Sequence, residues 1–239
     1  MKAIILAAGV GKRLWQVTQH RPKCLIQLGG QTLLQRYLKG LAEVGIRRAD
    51  IVVGYKQEMI RSAVEADSCG VRVTFLVNEQ FHRGSISSLW IARTALDDDV
   101  VIMDADVLFH RDILRRLVES PWPNCLLMDD TVKQTGEECM VVVEGGRVIA
   151  LTKKMPLHYD HAGEGVGFLK VRHADTPHVV ASLRTYVDRE AWTMEYEDAL
   201  LEFFQNVKVG YEPIGGLPWT EIDFTEDVTK AEREILPKL

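Results

Sequence analysis

Ala3-Ile4-Ile5-Leu6-Ala7-Ala8-Gly9-Val10-Gly11-Lys12-Arg13-Leu14 is the stretch on which the fold turns. Its first six residues are all apolar, too few to span a membrane and carrying two β-branched isoleucines, so they predict a buried central strand. The strand runs into Gly9-x-Gly11. Two glycines let the backbone turn tightly and bring its N–H groups against a ligand, and Lys12 and Arg13 add cationic side chains just beyond the turn, a combination suited to a polyphosphate. Working outward, Thr18 and then Pro22-Lys23-Cys24-Leu25 follow. The proline stiffens the returning chain and so places Lys23 to reach the same ligand.

Two other phosphate loops are excluded by the residues present. A P-loop ends in Lys followed by Ser or Thr, and here Lys12 is followed by Arg13. A dinucleotide fingerprint needs a third Gly or Ala where this chain has Leu14, and an acid after the second strand, which here ends at Gly54. The order Leu6-Ala7-Ala8-Gly9-x-Gly11-x-Arg13-Leu14, Thr18, Pro22-Lys23-x-Leu25 instead resembles the signature of the nucleotidyltransferases that join a nucleoside triphosphate to a phosphorylated sugar or alcohol. That resemblance implies an α/β fold with a Rossmann-like, mostly parallel central sheet of the nucleotide-diphospho-sugar transferase (GT-A-like) type, and a small antiparallel acceptor lobe. It also implies that Leu6, Ala7, Ala8, Gly9, Gly11, Arg13 and Lys23 bind the nucleotide, with Arg13 and Lys23 catalytic.

The 239 residues are 46% hydrophobic, enough for one substantial core. One domain is expected, with its nucleotide-binding half at about residues 1–120 and its acceptor-binding half at about 121–239. A net charge of −5 provides no basic footprint for nucleic acid, so phosphate binding must be local. No apolar stretch approaches the ~20 residues of a transmembrane helix, and Met1 leads straight into the first strand. A cytoplasmic chain without membrane insertion is expected. Cys24, Cys69, Cys125 and Cys139 are widely spaced, which predicts reduced thiols without metal or disulfide roles.

Leu33, Leu34, Tyr37, Leu38 and Leu41 share one helical face, with Gly45 as the stop. Ile51 to Gly54 and Val71 to Val77 read as strands around a charged helix near 57–66. This alternation predicts a parallel sheet with ligands at the carboxyl ends of its strands. Gly84 and the serines after it, ahead of an apolar helix, offer N-cap hydroxyls and free backbone donors. In the resembling families this turn contacts base and ribose, which makes Ser85 and Ser88 candidates. Val100 to Met103 predict another buried strand, ending in Asp104-Ala105-Asp106, whose two acids point to one side of an extended backbone. Carboxylates there suit a Mg²⁺ ion held against a triphosphate. The resemblance puts the metal on Asp106 and leaves Asp104 beside the nucleotide, while Asp97-Asp98-Asp99 reads as a solvated turn.

Beyond a Pro121-Trp122-Pro123 break, short strands around a Glu144-Gly145-Gly146-Arg147 hairpin predict an antiparallel region. The resemblance places a lysine just after it to hold the acceptor's phosphate, so Lys153 and Lys154 are both candidates. Glu164, set between glycines, fits a bulge or recognition of acceptor hydroxyls. Tyr196 and Asp198 fall where choline-phosphate cytidylyltransferases carry aromatic and acidic residues around a cationic head group. The helix dipole alone also favours acids there. Glu197 stands where those enzymes carry an aromatic residue, which keeps a polyol phosphate open as acceptor. Trp219-x-Glu221-Ile222-Asp223 resembles the second metal-binding segment, with Asp223 as partner of Asp106 and Glu221 in the acceptor pocket.

In its details the resemblance is to small cytidylyltransferases acting on phosphocholine, inositol 1-phosphate or aminoalkylphosphonates. It implies a Mg²⁺-dependent enzyme that takes CTP, or another nucleoside triphosphate, and a small phosphorylated alcohol, and it is compatible with a homodimer. Two alternatives stand beside it. One is a sugar-1-phosphate nucleotidyltransferase using UTP, GTP or dTTP; the other is a non-catalytic nucleotide-sensing domain of the same fold, which would be expected to lack Lys23 or the metal acids.

Overall fold

The structure, a computed structural model, describes all of residues 1–239 except Lys133. Strand β1 (Lys2–Ala7) leads through α1 (Trp15–Thr18) and the short strands β2 (Gln27–Leu28) and β3 (Gln31–Thr32) to α2 (Leu33–Glu43). Then β4 (Arg48–Val53), α3 (Gln57–Ala66), β5 (Arg72–Val77), α4 (Ile86–Ala92) and β6 (Val100–Asp104) complete an alternating half. The remainder runs β7 (Val107–Phe109), α5 (Arg111–Glu119), β8 (Cys125–Asp129), β9 (Met140–Glu144), β10 (Arg147–Thr152), β11 (His161–Val171) and α6 (Thr176–Val187). It ends with α7 (Tyr196–Ala199), α8 (Leu201–Asn206), β12 (Gly210–Pro213), β13 (Trp219–Glu221) and α9 (Thr225–Lys230).

Strands β6, β1, β4 and β5 lie side by side in parallel, so β1 is central, as its apolar run requires. Period-two alternation sends Ala3, Ile5 and Ala7 into one core, shared with Leu33, Leu38 and Leu41 of α2 and Leu114 of α5. Ile4 and Ala8 enter a second core on the opposite face with Leu89 of α4, Leu183 of α6 and Phe203 of α8. Burial on both faces is why this strand shows no polar alternation. On α2 a capping box between Thr32 and Gln35 starts the helix, and Gly45 at φ 81° follows its end. Its buried leucines each contribute about 2 kcal/mol of apolar burial.

The expected antiparallel half continues the same nine-stranded sheet. β11 pairs antiparallel with β8 along one side and with β6 and β9 on the other; the hairpin at Gly145-Gly146 joins β9 to β10. The Asp97–Asp99 turn is more than solvated surface, because Asp97 pairs with Lys2 and Asp98 with Arg48 at the amino ends of β1 and β4. Two glycines are fixed by geometry. Gly11 has φ 66°, with Thr18 Cγ2 at 3.0 Å from where a Cβ would sit. A Cβ on Gly84 would meet the Met194 carbonyl at 2.4 Å, so the start of α4 can lie against the segment before α7 only without a side chain. No helix among the described residues is long and apolar enough to cross a membrane.

Candidate functional site

Asp104 ends β6, and Ala105-Asp106 turns the chain into β7. The buried Tyr37 hydroxyl of α2 donates to the Asp104 carbonyl at 2.6 Å and accepts from the Val107 N–H at 3.0 Å, pinning the turn from below. Strand β13 pairs antiparallel with β7, setting Glu221 opposite Val107, and the Ile222 N–H donates to the Asp106 carbonyl at 3.0 Å. This small ribbon brings Asp223 to Asp106 from the far end of the chain. Carboxylate oxygens of Asp106, Glu221 and Asp223 lie within 4.8 Å of one another.

The first loop reaches the same place. The Thr18 hydroxyl donates to the Gly11 carbonyl at 2.9 Å and closes the glycine turn. Gly9 is exposed there, Ala7 and Ala8 are buried, and Leu6 is half-buried behind them. Lys23 Nζ donates to Asp106 Oδ2 at 2.8 Å and Asp223 Oδ1 at 2.6 Å; Arg13 Nη1 donates to Asp223 Oδ2 at 2.6 Å. Burial works against the Lys23 charge, but Asp106 and Asp223 outweigh it and hold the ammonium's pKa above its ordinary value. Burial would likewise raise Asp223, yet Lys23 and then Arg13 hold it below the usual carboxylate range. Asp106 Oδ1 is buried without a hydrogen-bond partner. Three carboxylates with one orphaned, buried oxygen fit a hard, oxygen-seeking divalent cation such as Mg²⁺.

The remaining candidates surround a cavity of about 700 Å³ that opens onto this cluster. Lys153, Lys154, Glu164, Asp198 and Glu221 line it together with Arg13, Asp104 and Asp223. Lys153 and Lys154 are both exposed, and the Lys153 charge helps depress Asp223. Asp198 Oδ1 accepts from the Thr152 hydroxyl at 2.9 Å. Tyr196 is only 3% exposed, so it presents little ring face to a head group; its hydroxyl donates to Asp104 Oδ2 at 2.8 Å. Burial, then Glu197 and Asp106, push the Asp104 carboxyl well above its ordinary range. Burial also carries Glu197 up to about 7 and, with Asp106 and Asp223 adding to it, Glu221 up to about 8.

Glu164 is pushed up to about 7 by burial and then by Glu138 and Asp129. Its folded pKa lies above the ordinary 4.5, so between these values the folded chain keeps a proton that the unfolded chain has lost. Stability should therefore fall as pH rises from about 4.5 through about 7. Glu164→Gln should remove this contribution, gaining about 1 kcal/mol over the parent at pH 8 and almost nothing at pH 4, after allowance for solvent screening. Urea melts at the two pH values check it, and an equal effect at both would contradict the assignment.

The serines are used differently from the expected N-cap role. Ser85 makes no side-chain cap to its own helix α4. Its hydroxyl donates to Glu195 Oε2 at 2.5 Å and accepts from the Tyr196 N–H at 2.8 Å, because the close approach at Gly84 sets it against the start of α7. Ser88 is buried and accepts from Asn78 Nδ2 at 3.1 Å. Sequence reasoning passed over Tyr37 as a site residue, treating it as part of a core face. It also passed over Asp129, which accepts from Trp219 Nε1 at 2.8 Å and steadies β13. An acid closing the apolar run Leu126-Leu127-Met128 was the one available signal for Asp129.

Residues 3–155 match the MobA-like NTP transferase domain. Over 122 residues the chain is 34% identical to CMP-5'-(3-aminopropyl)phosphonate synthase of Streptomyces rubellomurinus, covering 51% of this chain and 19% of that protein. It is 29% identical over 249 residues to choline-phosphate cytidylyltransferase of Streptococcus pneumoniae, covering 99% and 98%. Several other curated relatives are matched over about half their length. The solved CTP:phosphocholine cytidylyltransferase from Streptococcus pneumoniae superposes with a TM-score of 0.75 at 24% identity, covering 97% of each chain, which establishes the shared GT-A-like nucleotidyltransferase fold.

Proposed function

The chain belongs to the MobA-like NTP transferase family, and from that premise we propose that it transfers CMP from CTP to a small phosphorylated or phosphonylated alcohol, releasing pyrophosphate. The observation that carries this is the convergence of Arg13, Lys23, Asp106, Glu221 and Asp223 at the mouth of one cavity. CTP is favoured over UTP, GTP or dTTP because two relatives matched along almost their whole length are named as cytidylyltransferases, one for phosphoglutamine and one for choline phosphate. Residues 1–120 would hold the nucleotide, and the antiparallel half, with Lys153 or Lys154, the acceptor's phosphate. Ser85 and Ser88 belong to the half that would hold the nucleotide, and both hydroxyls are already hydrogen-bonded within the chain.

In this reading an oxygen of the acceptor's phosphate attacks the α-phosphorus in line. A new P–O bond forms, the α–β bridge breaks, and its electron pair leaves on pyrophosphate. The attacking oxygen is already anionic and needs no general base, so positioning and charge stabilisation dominate. A divalent cation bound by Asp106 and Asp223 would neutralise phosphate charge and order its oxygens. Lys23, kept cationic, donates to the α-phosphate as charge shifts; Arg13 and the glycine-loop N–H groups hold the departing phosphates.

Pyrophosphate release in Mg²⁺, with five nucleoside triphosphates crossed against phosphate, phosphonate and sugar-phosphate acceptors, tests this. Release with CTP and a small acceptor is expected. Release only with UTP, GTP or dTTP and a sugar 1-phosphate would replace it with the second reading, and nucleotide binding without any turnover would favour the sensing role.

A further inference from the structure

The acceptor cavity is electrostatically lopsided. Among the described residues its lining carries eleven carboxyl groups against five cationic side chains. In the proposed reading Arg13, Lys153 and Lys154, with the neighbouring Lys23, attend the phosphate end, and Lys230 and Lys238 come from the C-terminal helices. Around Tyr196 the lining is acidic. Within it, Glu197 Oε2 is sealed from solvent and has no hydrogen-bond donor among the described residues, although its side chain forms part of the cavity wall. Its acidic neighbours are already engaged: Asp104 Oδ2 by Tyr196, Asp198 Oδ1 by Thr152, and Glu195 Oε2 by Ser85. A buried carboxylate without a donor is costly, and a cation placed against it in the cavity recovers part of that cost.

Two cationic head groups differ in what they ask of such a wall. A quaternary ammonium has no N–H and is held by aromatic faces, whereas a primary ammonium brings three donors. Of the three aromatic side chains in the lining, Tyr196 is nearly buried and the Phe224 ring is taken by Arg13 at 5.7 Å, so Trp219 offers one face where a cage needs several. A neutral polyol could donate but would leave the acidic excess uncompensated. We propose that the acceptor is a zwitterion, a phosphate or phosphonate at one end and a primary ammonium at the other, with the Glu197 carboxylate facing that ammonium. The assignment rests on the CMP-transfer reading and adds the class of acceptor.

The test measures kcat/KM with CTP and Mg²⁺ for phosphoethanolamine, 2-aminoethylphosphonate, phosphocholine, inositol 1-phosphate and ethyl phosphate. At least one primary-amine acceptor should exceed phosphocholine and ethyl phosphate by about tenfold or more. Whichever of the two amines wins tells an ester from a phosphonate. In Glu197→Gln the ratio of the better amine to ethyl phosphate should fall about tenfold, chiefly through KM for the amine. Phosphocholine or inositol 1-phosphate used as well as the amines, or a ratio unmoved in the variant, would overturn the proposal while leaving CMP transfer standing. Silence with every acceptor would overturn CMP transfer and this proposal with it. Should the variant fail to fold, the wild-type panel alone decides.

Discussion

Lys23→Ala should lower turnover by about a thousandfold, the loss expected when one preorganised donor to developing charge is removed. The ammonium stands between Asp106 and Asp223 and its side chain is only 13% exposed, so water would not simply replace it. The loss should fall on kcat more than on KM for CTP, because the donor is needed most as the α-phosphate changes its bonding. Lys23→Arg should recover little, since a planar fork does not occupy the place of a compact ammonium bridging two carboxylates. Without Lys23 only Arg13, on Asp223, is left against the carboxylates of Asp106, Glu221 and Asp223, so Mg²⁺ should raise the melting temperature of the variant more than that of the parent. Steady-state kinetics and thermal melts with and without Mg²⁺ measure both effects. Near-normal turnover in a folded variant would remove Lys23 from the chemistry.

What could be read from the sequence was local. The Ala3–Ala8 run, the glycine turn and the apolar face of α2 each announce themselves within a few residues, and each forms where expected. Alternation of strand and helix gave the parallel half. The meeting of Asp106 with Asp223 depends on the β7–β13 ribbon, three residues long on each strand, and no periodic pattern reveals so short a pairing between distant segments. Only the family resemblance of Trp219-x-Glu221-Ile222-Asp223 pointed to it. Ser85 shows the limit from the other side. A serine before an apolar helix is a fair N-cap by local rules, but the close approach at Gly84 offers its hydroxyl the start of α7 instead. Glu197 is similar, because an acid in a first helical turn is ordinarily solvated, and only tertiary packing seals its Oε2.

Asp106→Asn and Asp223→Asn should each reduce turnover by about a thousandfold, equivalent to about 4 kcal/mol of lost charge stabilisation. The two should differ in how they fail. Asp106 offers a buried oxygen with no other partner, so an amide there points either an N–H or a weaker acceptor at the cation and gains nothing in return. The Mg²⁺ concentration for half-maximal activity should rise about a hundredfold or more in Asp106→Asn. Asp223 also holds Arg13 and Lys23, so Asp223→Asn releases both cations from one partner and should additionally raise KM for CTP. It should change the acid limb of stability as well. With its pKa below the ordinary 3.8, Asp223 contributes stability present above that value and lost as pH falls through the lower folded pKa. The parent should therefore lose stability on acidification below about pH 4 more steeply than Asp223→Asn does. Mg²⁺ titrations of activity and acid melts without Mg²⁺ separate these effects. Identical Mg²⁺ dependence in parent and Asp106→Asn would sink the metal assignment, whereas a shallower acid limb in Asp223→Asn with unchanged turnover would leave Asp223 a structural partner of Lys23 alone.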